Sequence, residues 1–324
     1  MSLLPLLRDE IRSGLARMPL AWRDKRARWL IAQQCAGGGF ANRRGNPDLY
    51  YTAFALRGLS ALQGLTAEIA RPAAGFLLAR LRLPEAARIK QPGGAFCDAV
   101  QATSWWDALA LCEELTGPQM SAEESEAARQ TTQARLAALR RADGGWAKTD
   151  LDAAGSLYHT FLAAAVYLRM GLALPEPEQA LVFARALAQP AGGFRENRHS
   201  KTPGTNSSAA GIGLAIVLGE TAGIEQHASF LGSMQDPDGG FRATPAAPLP
   251  DLLSTCTAAF TLRLLEKLAP PAAEQAACFA RGLENAAGGY IGFALDTTPD
   301  CEYTFYGLAV EGLAALCASD RAQS

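Results

Sequence analysis

The stretch AGGGFANRRGNPDLYYTAFALRGLSAL, from Ala36 to Leu62, carries the key to this chain. A glycine cluster and an aromatic lead into two arginines, a proline and an aspartate, and the sequence then turns into an apolar helical run. The same signal, Gly-Gly-aromatic or Gly-Gly-X-aromatic, returns as GGGF ending at Phe40, GGAF at Phe96, GGW at Trp146, GGF at Phe194, GGF at Phe241 and GGY at Tyr290. The aromatic-to-aromatic spacings are 56, 50, 48, 47 and 49 residues, which marks an internal repeat.

Each unit carries two helical segments. Before the glycines lies an amphipathic stretch, such as RDKRARWLIAQQ or PEQALVFARALAQ, with apolar residues at steps of three and four. After them come a loop of roughly ten residues and a nearly uncharged run, such as TAFALRGLSAL or SSAAGIGLAIVL, which reads as a buried helix. Alternating half-wet and buried helices fit two concentric rings, six inside six, or an open solenoid. A solenoid needs polar caps, and the first and last buried runs are as apolar as the middle ones. The expectation is therefore an all-α, α6/α6 toroid over residues 20–317, with a helical extension at 1–19 and a tail at 318–324. The glycines are expected to end each outer helix in a left-handed turn, with the aromatic folded back onto its own unit.

Composition narrows the function. The chain has 324 residues, 49% hydrophobic and 19% charged, enough for a large core. A net charge of −2 gives no basic field for nucleic acid. Seven scattered cysteines without CxxC spacing fit reduced thiols in a cytoplasmic protein. The N-terminal MSLLPLLRDEIRSG is charged too early for a signal peptide, and no apolar run is long enough for a transmembrane helix.

The units resemble the repeat family of protein prenyltransferase β subunits and triterpene cyclases. That family's unit is a Gly-Gly-aromatic turn, a loop with Arg/Lys and Asp, and a helix entered through a Tyr/His-Thr/Ser pair. GGFANRRGNPDLYYTAFALRGLSAL and GGYIGFALDTTPDCEYTFYGLAVEGLAAL match well, SLYHTFLAAAVYL and PDLLSTCTAAFTL fairly, and units two and four weakly. The resemblance implies a central apolar cavity for an isoprenoid, with inner-helix N-termini at its polar mouth suited to a diphosphate.

Alignment of the six helix entrances places Asp48, Gln101, Ser156, Pro203, Asp251 and Asp300 at the aspartate position. Tyr51, Ser104, His159, Asn206, Ser254 and Tyr303 fall at the Tyr/His position. The resemblance implies diphosphate binding by Arg43 and Tyr51, with Arg44, Tyr303, Arg198 and Lys201 as further candidates. Magnesium would accompany the diphosphate. It also implies zinc, which lowers the pKa of an acceptor thiol. The family's ligands are the Asp and Cys of D-x-C and the His of His-Thr. No unit has that cysteine, because Tyr50, Leu253 and Glu302 occupy its place, so the candidate set becomes Asp300, Glu302 and His159, with Asp48 as another acidic group. Prenyl transfer in this family also implies a helical partner subunit.

Two further readings stand beside prenyl transfer. A class II terpene cyclase protonates an alkene or epoxide from a D-x-D-D-T carboxylic acid, and Asp300-Cys301-Glu302-Tyr303-Thr304 is a variant of it, with Glu302 or Asp300 as the acid. TDLDAA at 149–154 is a looser acidic match. The third reading is a non-catalytic toroid that binds a lipid or a partner protein. Trp105, Trp106, Tyr158, Phe161, Phe305 and Tyr306 are candidate walls of a prenyl pocket or ordinary packing residues.

Overall fold

The structure is a computed structural model that describes residues 3–81 and 96–323. The described helices are α1 (Leu3–Leu15), α2 (Leu20–Ile31), α3 (Leu49–Ala61), α4 (Ala67–Leu81), α5 (Ala99–Thr116), α6 (Ala122–Leu139), α7 (Leu157–Arg169), α8 (Pro177–Leu187), α9 (Thr205–Val217), α10 (Ile224–Ser233), α11 (Leu252–Leu264), α12 (Pro270–Gly282) and α13 (Cys301–Gln323). The apolar runs give the odd-numbered helices from α3 to α13. Each packs on the next, and α13 packs back on α3, so six inner helices close a ring. The even-numbered helices stand outside it. In α6 the buried residues are Ala128, Thr132, Leu136 and Leu139, one stripe at helical spacing with charged residues opposite. The fold is the α/α toroid. Helix α13 runs unbroken across 317, where the tail was expected to begin.

The inner helices are parallel and level. Second residue bonds to second residue between Tyr50 of α3 and Glu302 of α13. Ninth residue pairs with ninth between Arg57 of α3 and Asp107 of α5. All inner N-termini therefore open at one end of the ring.

The glycines do not cap the outer helices. Helix α2 ends at the cap Ala32, six residues before Gly38. A four-residue turn follows, in which the Gly38 amide donates to Cys35 O at 2.9 Å and the Cys35 amide to Gly39 O at 2.8 Å. It leads into the two-residue strands β1 (Phe40–Ala41) and β2 (Pro47–Asp48), and β3 (Phe241–Arg242) pairs with β4 (Pro250–Asp251) in the same way. Both glycines are demanded by the next outer helix. Gly38 has φ +88°, and a Cβ there would lie 2.0 Å from Pro72 O. A Cβ on Gly39 would meet the ring of Phe76 at 2.9 Å. The same contact joins Gly145 to Phe183, Gly193 to Phe230, Gly240 to Phe279 and, across the closure of the ring, Gly289 to Trp29. Gly93 and Gly94 lie outside the described residues.

Each aromatic then folds onto its own unit, as expected: Phe194 packs on Gly211 and Tyr290 on Gly307. Its buried amide donates to the fourth residue of the following inner helix. The bonds are Phe40 N to Thr52 Oγ1 (2.8 Å), Trp146 N to Thr160 Oγ1 (2.9 Å), Phe194 N to Ser208 Oγ (2.9 Å), Phe241 N to Thr255 Oγ1 (2.9 Å) and Tyr290 N to Thr304 Oγ1 (3.1 Å). This is the structural work of the Thr/Ser in the entrance pair. Helix α5 has Ala102 at that place.

Two entrances were misaligned by sequence. The cap of α5 is Asp98, three residues before Gln101, and the cap of α9 is Gly204, one residue after Pro203. Asn206 is therefore a second residue of its helix and Ser207 the third.

Candidate functional site

The ring encloses a cavity of about 410 Å³, within the usual range for small-molecule sites. Its walls follow the shared register. The second residues Tyr50, Val100, Tyr158, Asn206 and Leu253 form its upper layer. The sixth residues Phe54, Ser104, Leu162, Ala210, Thr257 and Tyr306 form the next, interleaved with Phe161 and Phe305. Arg57, Gly213 and Phe260, all ninth residues, lie deeper. Steps of four and three along a helix keep one stripe facing the axis, so each inner helix presents one stripe to the cavity. Tyr158 exposes 36% of its surface, and it does so as a wall of the cavity. Trp105 and Trp106, the seventh and eighth residues of α5, face away from it. Their indole N–H groups donate to Leu77 O (2.9 Å) and Thr132 Oγ1 (3.1 Å) on the outer ring.

Glu302, the second residue of α13, sits at the same level and reaches the cavity wall through Tyr50. The Tyr50 hydroxyl donates to its Oε1 at 2.6 Å, and the nearby Tyr306 hydroxyl also favours the carboxylate. Burial pushes the Glu302 carboxyl above the ordinary glutamate value, against the pull of these hydroxyls. Burial also raises the Tyr50 and Tyr306 hydroxyls, so both stay protonated as donors.

The other acidic candidates are engaged elsewhere. Asp48 caps α3, accepting from the amides of Tyr50 (2.8 Å) and Tyr51 (3.2 Å). Asp300 caps α13 through the Tyr303 amide at 2.9 Å and accepts from Arg43 Nε at 2.6 Å. Arg43 bonds Asp296 with its other nitrogens, at 2.7 and 3.2 Å, and lies over the Tyr303 ring at 5.3 Å. The arginine expected to meet a diphosphate is thus held by two aspartates. Arg44, Arg198 and Lys201 are exposed on loops.

Sequence reading missed Glu196. This carboxylate lines the central cavity and also a polar pocket formed with Lys148, Asp152, Ser156, His159 and His199. The Ser156 hydroxyl donates to Glu196 Oε1, while Ser156 Oγ accepts the His159 amide (3.2 Å) and lies 2.9 Å from His159 Nδ1. With the hydroxyl proton committed to Glu196, the remaining bond requires Nδ1–H, so Nε2 carries the lone pair. Burial lowers the His159 pKa, leaving the ring neutral, and Nε2 is buried without a partner. Glu196 lies two residues past its aromatic, in a loop whose cations drew attention away from it.

These placements do not fit the expected zinc ligands. Among the described residues no group of three or more His, Cys, Asp and Glu side chains could hold a metal ion. Asp300 is bound to Arg43, Glu302 to Tyr50, and His159 belongs to the polar pocket. Cys301 is fully buried, and burial pushes its thiol up, away from thiolate. Among the described residues no helix is long and apolar enough to cross a membrane.

Comparison with known proteins sharpens this picture. The family description "Prenyltransferase alpha-alpha toroid domain" matches residues 2–83 and 212–322. No curated protein sequence matches the chain. Among solved structures, Candida albicans protein geranylgeranyltransferase-I complexed with GGPP is similar with a TM-score of 0.66 at 14% identity, covering 89% of this chain and 90% of that one. The type II terpene cyclase MstE from Scytonema, as its R337A variant with geranylgeranyl dihydroxybenzoate as substrate, gives 0.59 at 16% identity, covering 95% and 99%. A glycosidase E335A variant in complex with glucose gives 0.56 at 13% identity, covering 93% and 97%. At these identities the likeness is one of fold, and the chemistry has to be argued from the residues.

Proposed function

The chain belongs to the prenyltransferase alpha-alpha toroid domain family, and from that premise we propose that its cavity takes up an isoprenoid chain and that Glu302 protonates it to begin a cyclisation. The observation carrying this reading is the half-buried Glu302 carboxyl, raised in pKa by burial and bonded to Tyr50, a wall residue of the apolar cavity. MstE, a cyclase whose length this chain nearly matches, binds a geranylgeranyl-bearing substrate in the same fold.

In the proposed step the Glu302 proton passes to one carbon of a terminal alkene. A C–H bond forms from the π pair, leaving a cation on the more substituted carbon. The next alkene supplies the pair for a C–C bond, and the last cation loses a neighbouring proton to water at the mouth. Glu302 regains its proton from solvent. Burial raises the Asp300 carboxyl too, but Asp300 suits this task less well because its Oδ2 is held by Arg43, which favours the ionised form. Tyr50, Phe54, Phe305 and Tyr306 line the volume where cations would form, and aromatic rings there would stabilise them. The reading requires one chain and no metal.

Changing Glu302→Gln keeps the shape and removes the acid. Cyclised product from geranylgeranyl substrates, followed by mass spectrometry, is expected to fall about 10³-fold while substrate binding persists. Undiminished cyclisation by E302Q would discard the assignment. Because the protonated form is the active one, turnover is expected to decline as pH rises through the elevated Glu302 pKa. A rate that climbs over that range contradicts the role.

Prenyl transfer is the second reading, favoured by the bare Nε2 of His159 beside the shared carboxylate Glu196. That nitrogen would take the proton of an acceptor as the acceptor attacks the prenyl carbon and diphosphate leaves. Arg44, Arg198 and Lys201 would meet the diphosphate, with magnesium arriving as part of that substrate and a helical subunit presenting the acceptor. Transfer from geranylgeranyl diphosphate to a thiol or alcohol, lost in H159N, would select this reading.

A further inference from the structure

A segment outside the repeats contributes to the lining of the cavity. Helix α1 packs along α13 and against α3, with Ile11 and Leu15 fully buried. It approaches α13 very closely, since a Cβ on Gly14 would fall 1.8 Å from Gly312 O. Two ion pairs fix its course. Arg8 Nη1 meets Glu114 Oε1 of α5 at 2.5 Å, and Arg263 Nε of α11 meets Glu10 Oε2 at 2.9 Å. Helices α5 and α11 are second and fifth in a ring of six, so they face each other across the axis. A helix tied to both within three residues must cross that axis. Residues i and i+2 project about 200° apart on a helix, which suits partners on opposite sides. Glu114 and Arg263 both lie in the last turns of their helices, so the crossing is at the end remote from the mouth.

Leu7 precedes the first of these pairs and lines the cavity together with Phe260, Thr261 and Leu264, the ninth, tenth and thirteenth residues of α11. We infer that α1 is the floor of the isoprenoid cavity and that Leu7 is a specificity-determining residue, setting how long a chain the cavity admits. The inference rests on the reading that the cavity takes an isoprenoid chain. Between the level of Glu302 and that of Leu264 the walls are eleven residues deep, or about 16 Å at helical rise, so any further reach depends on the floor.

The test is a length series on the full chain. Geraniol, farnesol, geranylgeraniol and geranylfarnesol are titrated by competition against a fluorescent apolar probe, for the parent, L7A, L7M and L7W. Circular dichroism confirms folding. L7W, with its larger side chain, is expected to weaken the longest alcohol bound by the parent about tenfold and to spare the shorter ones. L7A is expected to move the preferred length upward, and L7M to behave as the parent. An unchanged length preference in both L7A and L7W, with binding intact, overturns the role of Leu7 and leaves the cavity reading standing. Failure of the parent to bind any member overturns the cavity reading, and the inference with it.

Discussion

At the scale of single residues, the hydroxyl of Thr52 does two things at once. It accepts the Phe40 amide at 2.8 Å and donates to Asp48 O at 2.6 Å, in a place with no solvent exposure. Thr52→Val keeps the shape and strands the buried Phe40 N–H. The expected cost is about 1–3 kcal/mol, read from the urea midpoint. An unaltered midpoint would show that the Phe40 amide finds another partner. Sequence reading recognised the Tyr-Thr pair as a signature and looked for chemistry in its first member. The second member turns out to hold the turn to the helix. The pairing of Arg43 escaped for a different reason: Asp296 and Asp300 are more than 250 residues away in the chain, and only ring closure brings them to the guanidinium. The place of Glu302 at a helix entrance was legible because its cap and its helical run are local.

At the scale of elements, the repeat reads plainly because each unit states its own helices. The buried runs, the wet runs and the glycine-aromatic turns are local patterns, and they fold as such. The purpose of the second glycine is not local, since its neighbour is an aromatic on the following outer helix. In the third unit a Cβ at Gly145 would meet the Phe183 ring at 2.7 Å. Gly145→Ala is expected to destabilise by about 1–3 kcal/mol through overpacking, measured by thermal or urea unfolding. Restoration by Phe183→Leu in the double variant would identify the clash as the cause, and simple addition of the two losses would refute it. The register errors in units two and four have a related origin. Without Thr or Ser at the fourth place in α5, and with Gly204 as the cap of α9, the entrance cues disappear from the sequence. The common depth of the cavity residues restores them.

At the scale of the whole molecule, the first and last units are fastened through Arg26. Its side chain is 4% exposed, donates to Tyr290 Oη (3.2 Å), Glu284 Oε2 (2.5 Å) and Trp22 O (2.9 Å), and lies over the Trp22 ring at 3.5 Å. Tyr290 in turn donates to the buried carboxylate of Glu311. Arg26→Met is expected to cost roughly 3 kcal/mol, because it leaves acidic groups in the interior without their cation. Burial already raises the Glu311 pKa, and Arg26 restrains it. A carboxyl with a raised folded-state pKa stabilises the fold at low pH and loses that contribution as pH climbs. The deficit of R26M should therefore widen with rising pH in urea titrations, and a constant gap would remove Glu311 from the account. The ring was foreseen from the apolar end units, but its fastening was not, since one of its partners is an arginine on an outer helix that reads as solvated.

The same fastening bears on how the chain comes to be whole. Lys25 and Arg26 find Glu284 more than 250 residues further on, and Gly14 finds Gly312 later still. During synthesis α1 and α2 emerge well before the residues they seat against, with a long loop to close. The seam of the ring thus lies where α1 and α2 meet the last unit. Because Arg17 bonds to Ser319, the segment after α1 and the last turns of α13 lie side by side. Joining the N- and C-termini and cutting between two middle units would yield a circular permutant with the same ring, in which α1 and α2 are synthesised after their partners instead of before.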